Sequence, residues 1–325
     1  MGQRGGARRG IRSTVTQGSV QFAISIPQFV ADGTFDPGGF RAYLARAEEL
    51  GFHSGWTGEQ VLGSMPHLGP AETLSYAAAC TERLRLGCAV FVTPLHSPVH
   101  LAKSISSLDQ LSRGRVEVGV GTGGRFRMFP AFGLDGQHVV SRFTEGLELM
   151  QAMWTQDRVD FDGRFWQARG AAMEPRPFQK PYPPLWFGGS HPNAVRRAVR
   201  LAGGFMGAGS TTTADFVEQA RLVREALSEE GRDPASFRVA KRVYLGVDDD
   251  ARRVRQRTGD ALNDLYRYFG LKGIERVAVA GRPDDVAGQL ADIAAAGAGL
   301  ILLNPLFDEA EQMERLSDEV IPQLA

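Results

Sequence analysis

Eight short apolar runs alternate with stretches patterned as helices, and no other feature of this 325-residue chain restricts its fold as strongly. The runs begin near residues 20, 54, 84, 115, 185, 204, 238 and 300. Val20 to Ile26 carries apolar residues at alternate positions and is closed by Pro27. Phe40, Tyr43, Leu44 and Ala47 then recur at helical spacing, and Gly51 supplies a left-handed stop. Ser54 to Gly58 reads as a strand, Pro70 to Cys80 as a helix, and Leu84 to Thr93 as a β-branched and aromatic strand ended by Pro94. Ser97-Pro98, a capping residue followed by proline at the first helical position, opens a helix to about Leu111. Strands this short and this apolar need cover on both faces, as in a parallel sheet. Eight strand–helix units fit a closed α/β barrel, the (β/α)8 or TIM barrel, better than an open doubly wound sheet.

Such a barrel takes about 250 residues. The surplus lies in residues 1–19, in 123–137 together with 155–184, and in an extra helix at 249–269. Alternation around Asp162-Gly163, from Val159 to Trp166, predicts a tight hairpin. Residues 1–19 hold Arg4, Arg8, Arg9 and Arg12 and no acid. They lack the apolar region of a secretory signal, and Gly6 breaks the myristoylation pattern. We expect a flexible basic tail followed by one domain over 20–325.

Lys plus Arg and Asp plus Glu each total 37, which argues against nucleic acid as the main partner. No run of about 18 apolar residues could span a membrane. Cys80 and Cys88 are the two cysteines and are not spaced as CxxC, so reduced thiols in the cytoplasm are expected. No metal site is expected: His96 and His100 are interrupted by Pro98 and lack the glutamate of HExxH. A GxSxG elbow and a Walker phosphate loop are also missing.

A barrel places its chemistry at the C-terminal ends of its strands. The candidates there are Pro27-Gln28, Glu59-Gln60, Thr93-Pro94, Gly121-Thr122-Gly123-Gly124, Gly188-Gly189-Ser190, Gly207-Ala208-Gly209 and Asn304. Trp186-Phe187-Gly188-Gly189-Ser190-His191-Pro192 is a strand, two glycines, a hydroxyl and a helix start. Backbone amides and the positive end of a helix can hold a phosphate there, or the segment is a tight turn with a plain cap. Gly119-Val120-Gly121-Thr122-Gly123-Gly124 matches GxGxxG, but no helix follows at once and the motif is far from the chain start, unlike a dinucleotide fingerprint. It either leaves room for a flat ring or lets strands pack closely. Phe126, Phe129, Phe132, Phe165 and Trp166 fall in irregular segments, as loop anchors or as a ligand wall.

An ordered set of segments then resembles the luciferase-like flavin- and deazaflavin-dependent oxidoreductases. The set runs through Ala47-Glu48-Glu49-Leu50-Gly51-Phe52, Leu84-Arg85-Leu86-Gly87, Pro98-Val99-His100-Leu101-Ala102-Lys103, Leu108 to Arg115, Gly119 to Gly123 and Pro183 to Ser190. The resemblance spans nearly all of 20–323 and implies a cofactor across the barrel mouth, its phosphate near Gly188, Gly189 and Ser190. It implies a non-proline cis peptide at Ala89-Val90 beneath the ring, contacts from Thr122 and Gly123, an acid at Glu59 facing the ring, and commonly a homodimer. Two departures stand out. Gln60 takes a position that is histidine in many members, and it cannot exchange a proton at neutral pH. Gly124 replaces a proton-moving glutamate of the deazaflavin sugar-phosphate dehydrogenases, which disfavours that activity. Any proton must then come from Glu59, His96, His191, solvent or substrate.

The leading expectation is hydride transfer with coenzyme F420 to or from a small organic substrate. The alternative is a monooxygenase using reduced flavin mononucleotide (FMN) and oxygen. A third reading is a barrel without catalysis.

Overall fold

The alternating apolar residues close into a ring. In a computed structural model, residues 20–324 are described apart from 31–32, 64, 124–125, 135, 190 and 268–271. The basic tail expected at 1–19 therefore lies outside the described residues. The strands are β1 (Gln21–Ser25), β2 (Ser54–Thr57), β3 (Arg85–Val92), β4 (Val116–Gly121), β5 (Val159–Asp162), β6 (Gln167–Ala171), β7 (Leu185–Gly189), β8 (Gly204–Gly207), β9 (Arg238–Val247), β10 (Val279–Gly281) and β11 (Leu300–Pro305). Around the barrel the order is β1-β2-β3-β4-β7-β8-β9-β11, closing on β1, with every pairing parallel. These are the eight strands read from the sequence. The short β10 adds to β9 outside the ring; three residues carry too little alternation to be recognised.

The helices are α1 (Pro37–Glu49), α2 (Pro70–Cys80), α3 (Pro98–Leu111), α4 (Val139–Thr155), α5 (Pro192–Leu201), α6 (Thr213–Glu229), α7 (Ala251–Tyr266), α8 (Pro283–Ala295) and α9 (Glu309–Arg315). Prolines at the first turn start several of them, where the missing amide does no harm. Ser97 occupies the cap position of α3, but its side chain makes no capping hydrogen bond, contrary to the expectation. Among the described residues, no helix is long and apolar enough to cross a membrane.

Strand alternation divides the interior in two. Ile24, Leu86, Cys88, Val118, Val120, Phe187, Phe205, Val243 and Ile301 face outward and pack under the helices. Each large aliphatic side chain buried there contributes roughly 1.5–3 kcal/mol. Ala23, Trp56, Trp186, Met206, Ala240, Leu300 and Leu302 form a separate plug inside the barrel. Below it, at the N-terminal ends, the Glu117 carboxylate accepts from Arg85 Nε (2.5 Å), Arg238 Nη2 (2.8 Å) and Trp186 Nε1 (2.6 Å). Burial pushes this carboxyl upward, but Arg238, Arg85 and the indole outweigh it and hold the pKa below its ordinary value.

The hairpin exists, but its turn is not the two-residue Asp-Gly type. β5 and β6 pair antiparallel with Asp162 opposite Gln167, leaving four residues between. The cause lies on α4. The Glu145 carboxylate accepts the amides of Arg164 (3.0 Å), Phe165 (2.7 Å) and Trp166 (2.8 Å), drawing the turn into a wider loop. Arg142 then stacks over Phe165 and Trp166, and Phe129 is buried. These aromatics anchor the loops.

Candidate active site

The C-terminal ends of the barrel strands are where buried residues give way to half-buried ones. Ala89, Val90 and Val92 of β3, Gly188 and Gly189 of β7, Arg242 of β9 and Asn304 of β11 are all partly accessible, as are Thr122 and Gly123 after β4. The Ala89–Val90 peptide is cis, at the position the resemblance indicates. The β3–β4 register slips between Cys88 and Phe91. Cys88 and Phe91 both pack outward, so the slip turns Ala89 and Val90 together toward the interior. Two glycines make room for Val90: a Cβ on Gly121 would lie 2.8 Å from Val90 Cγ2, and one on Gly188 2.8 Å from Val90 Cγ1. Close strand packing thus accounts for these glycines.

Gly188 and Gly189 form the last rungs with Met206 and Gly207 of β8. Gly189 also lets α5 approach, since a Cβ there would meet that of Ala194 at 2.9 Å. Ser190 lies outside the described residues, as does Gly124. His191 caps α5, its Nδ1 accepting the Asn193 amide at 3.1 Å. That ring nitrogen is committed to the helix rather than to proton transfer. Gly123 adopts φ +75, and Thr122 is half-buried beside it.

Glu59 and His96, 37 residues apart, come together. Glu59 Oε1 bonds His96 Nε2 at 2.8 Å while Oε2 accepts the Val92 amide at 2.5 Å. The Glu59 side chain is 2% exposed and that of His96 30%. A carboxylate only accepts, so Nε2 is the donor in this pair. Gln60 does not join them; its side chain folds over Gly63 in its own loop. The loop is fixed by Gln28, whose amide donates to the carbonyls of Gly58 (3.1 Å) and Leu68 (3.0 Å) and accepts from the Gly58 amide (2.6 Å).

Several mouth residues escaped the sequence reading. Arg242 projects inward and donates from Nε to Asn304 Oδ1 (2.9 Å) and from Nη1 to the Ala89 carbonyl (3.1 Å). Its guanidinium lies 5.0 Å from the centre of the Tyr244 ring. Tyr244, itself buried, bonds Tyr266 of α7 hydroxyl to hydroxyl at 3.0 Å, so the extra helix packs behind Arg242. Burial, with the neighbouring Arg242, lowers the pKa of His67 and favours its neutral ring. On the outer face of β9, Lys241 donates to Ala208 O, Thr211 O (2.8 Å) and Thr211 Oγ1 (2.9 Å), tethering the loop after β8. Burial lowers its pKa to about 7. A charged residue inside an apolar strand run is the one signal that could have found Arg242.

The chain matches the luciferase-like monooxygenase family over residues 17–300. It belongs to that family. An F420-dependent glucose-6-phosphate dehydrogenase from Beutenbergia cavernae is 30% identical over 327 residues, covering 89% of this chain and 94% of the relative. The oxygenase component of a flavin-dependent trigonelline monooxygenase from Acinetobacter baylyi is 31% identical over 163 residues, 47% of this chain and 43% of that one. Among solved structures, the monooxygenase RslO1 of Streptomyces bottropensis superposes with a TM-score of 0.79 at 25% identity, covering 94% of this chain and 100% of that one. This family member is therefore a luciferase-like oxidoreductase by kinship, with relatives of both cofactor types.

Proposed function

We propose that this protein uses coenzyme F420 to transfer a hydride to or from a small organic substrate at the barrel mouth. The observation that carries the reading is the Glu59–His96 pair, a half-exposed imidazole held by a buried carboxylate. The relationship to an F420-dependent dehydrogenase over most of both chains supports it. The residues present fit a flat phosphorylated cofactor: Ala89 and Val90 form a ledge of small apolar groups, with Thr122 and Gly123 beside it, and Gly188 and Gly189 would face the phosphate. Bound F420 would supply the carbon that gives or takes the hydride. His96 takes the proton that leaves a hydroxyl as its carbon is oxidised, or returns it to a carbonyl oxygen. Glu59 fixes the tautomer and orientation of the ring. Gln60 contributes at most a hydrogen bond. The second reading, an FMN-dependent monooxygenase, is favoured by the 25% identity with the monooxygenase RslO1 over nearly the full length of both chains and by the similarity to the flavin-dependent trigonelline monooxygenase component.

Titrating the protein with F420 and with FMN, followed by absorbance, tests the choice. F420 binding with oxygen-independent turnover is expected. Oxygen consumption with reduced FMN, and no F420 binding, would move the assignment to the monooxygenase. No response to either cofactor would leave a barrel without catalysis. His96→Ala is expected to lower turnover by roughly 10²–10⁴-fold with cofactor affinity retained; an active variant removes His96 from the mechanism.

A further inference from the structure

We propose that the substrate of this mouth carries a carboxylate or a comparable oxyanion, and that the Arg242 guanidinium receives it. The inference rests on reading the mouth as the active site and adds the substrate class. Arg242 has five N–H donors. Two of its bonds are to neutral acceptors, Asn304 Oδ1 and the Ala89 carbonyl. Among the described residues no carboxylate lies within ion-pair distance of it. The nearby acid, Glu59, is occupied by His96 and the Val92 amide. The other guanidinium that β9 supplies to the Trp186 side of the plug, Arg238, is paired with buried Glu117. Arg242 is thus a half-buried cation with spare donors and, among the described residues, no counter-charge.

A charge withdrawn from water is costly unless an opposite charge compensates it. A planar guanidinium held by two hydrogen bonds and resting against a tyrosine ring is already oriented for a planar anion, and its fork matches both oxygens of a carboxylate. The bond to the Ala89 carbonyl sets that anion beside the β3 ledge, where the reacting carbon has to lie. Tyr244 and Tyr266, packed edge to face, back the guanidinium from the side of α7.

The test uses the full chain without cofactor and two probes of similar shape, benzoate and benzyl alcohol, titrated calorimetrically into the wild type, Arg242→Gln and Arg242→Lys. Benzoate is expected to bind more tightly than benzyl alcohol. Arg242→Gln should weaken benzoate by about tenfold or more and leave benzyl alcohol unchanged, with Arg242→Lys falling between. Benzoate binding indifferent to both substitutions, or no tighter than benzyl alcohol, overturns the proposal. If the glutamine variant does not fold, the lysine variant decides: weaker benzoate binding sustains the proposal, and unchanged binding ends it. FMN and F420 are titrated into the same proteins. Cofactor affinity lost while benzoate binding is unchanged would assign the cation to the cofactor and overturn the proposal. Failure of both cofactors to bind any variant would remove the oxidoreductase reading, while the benzoate comparison still decides the role of Arg242.

Discussion

Arg238 and Arg242 lie on one strand, four residues apart, and serve opposite ends of the same barrel. At the N-terminal end Arg238 rests over Trp186 at 4.4 Å and bonds a carboxylate that is 1% exposed. Arg85 bonds the same carboxylate, so the charges there answer one another. At the C-terminal end Arg242 rests near Tyr244 but, among the described residues, holds only neutral acceptors. The contrast teaches that residue type does not settle the role of a charge inside a barrel. One end uses its ions to close the structure, and the other keeps a cation available.

The largest expected effect comes from breaking the closed end. Glu117→Leu should lower unfolding free energy by about 3 kcal/mol, the low end of the range for a broken buried pair because Arg238 reaches solvent. Urea unfolding measures it, and a loss below about 1 kcal/mol would erase the contrast between the two ends. The pH dependence has a definite sign. The folded-state pKa of Glu117 lies below its ordinary 4.5. Its contribution is therefore complete above that ordinary value and disappears as pH falls through the depressed one. In that acid window the leucine variant should lose less stability than the wild type.

A middle-sized effect is expected at the ledge. Gly188→Ala places a methyl group 2.8 Å from Val90 Cγ1 and should cost about 1–3 kcal/mol through overpacking. Combining it with Val90→Ala should recover part of the loss. A double-mutant cycle with no coupling would mean that Val90 is not what the glycine accommodates. The smallest effect belongs to the open end. Arg242→Gln should change stability by less than about 1 kcal/mol, because it removes a partly desolvated charge with no counter-ion among the described residues. A loss matching that of Glu117→Leu would make Arg242 a structural residue like Arg238.

Much of the architecture was legible in the chain. β-Branched and aromatic residues mark β3 from Leu84 onward, and proline at the first turn places α3 at Pro98. The hairpin turn was misread because its determinant is remote: Glu145 gathers amides up to 21 positions away. The mouth was legible as a set of loops but not as a set of contacts. Gln60, adjacent to Glu59 in sequence, turns aside, whereas His96 arrives from the far end of the next strand.

The sequence by itself determined the number and order of the barrel strands and which faces of them are apolar, because periodicity and capping are local properties of neighbouring residues. Only the tertiary structure decided which charges meet. Glu117 finds Arg238 across 121 residues while Arg242 finds no acid among the described residues, and that difference is set by the stagger of strands around a closed ring, a geometry that no stretch of neighbouring residues encodes.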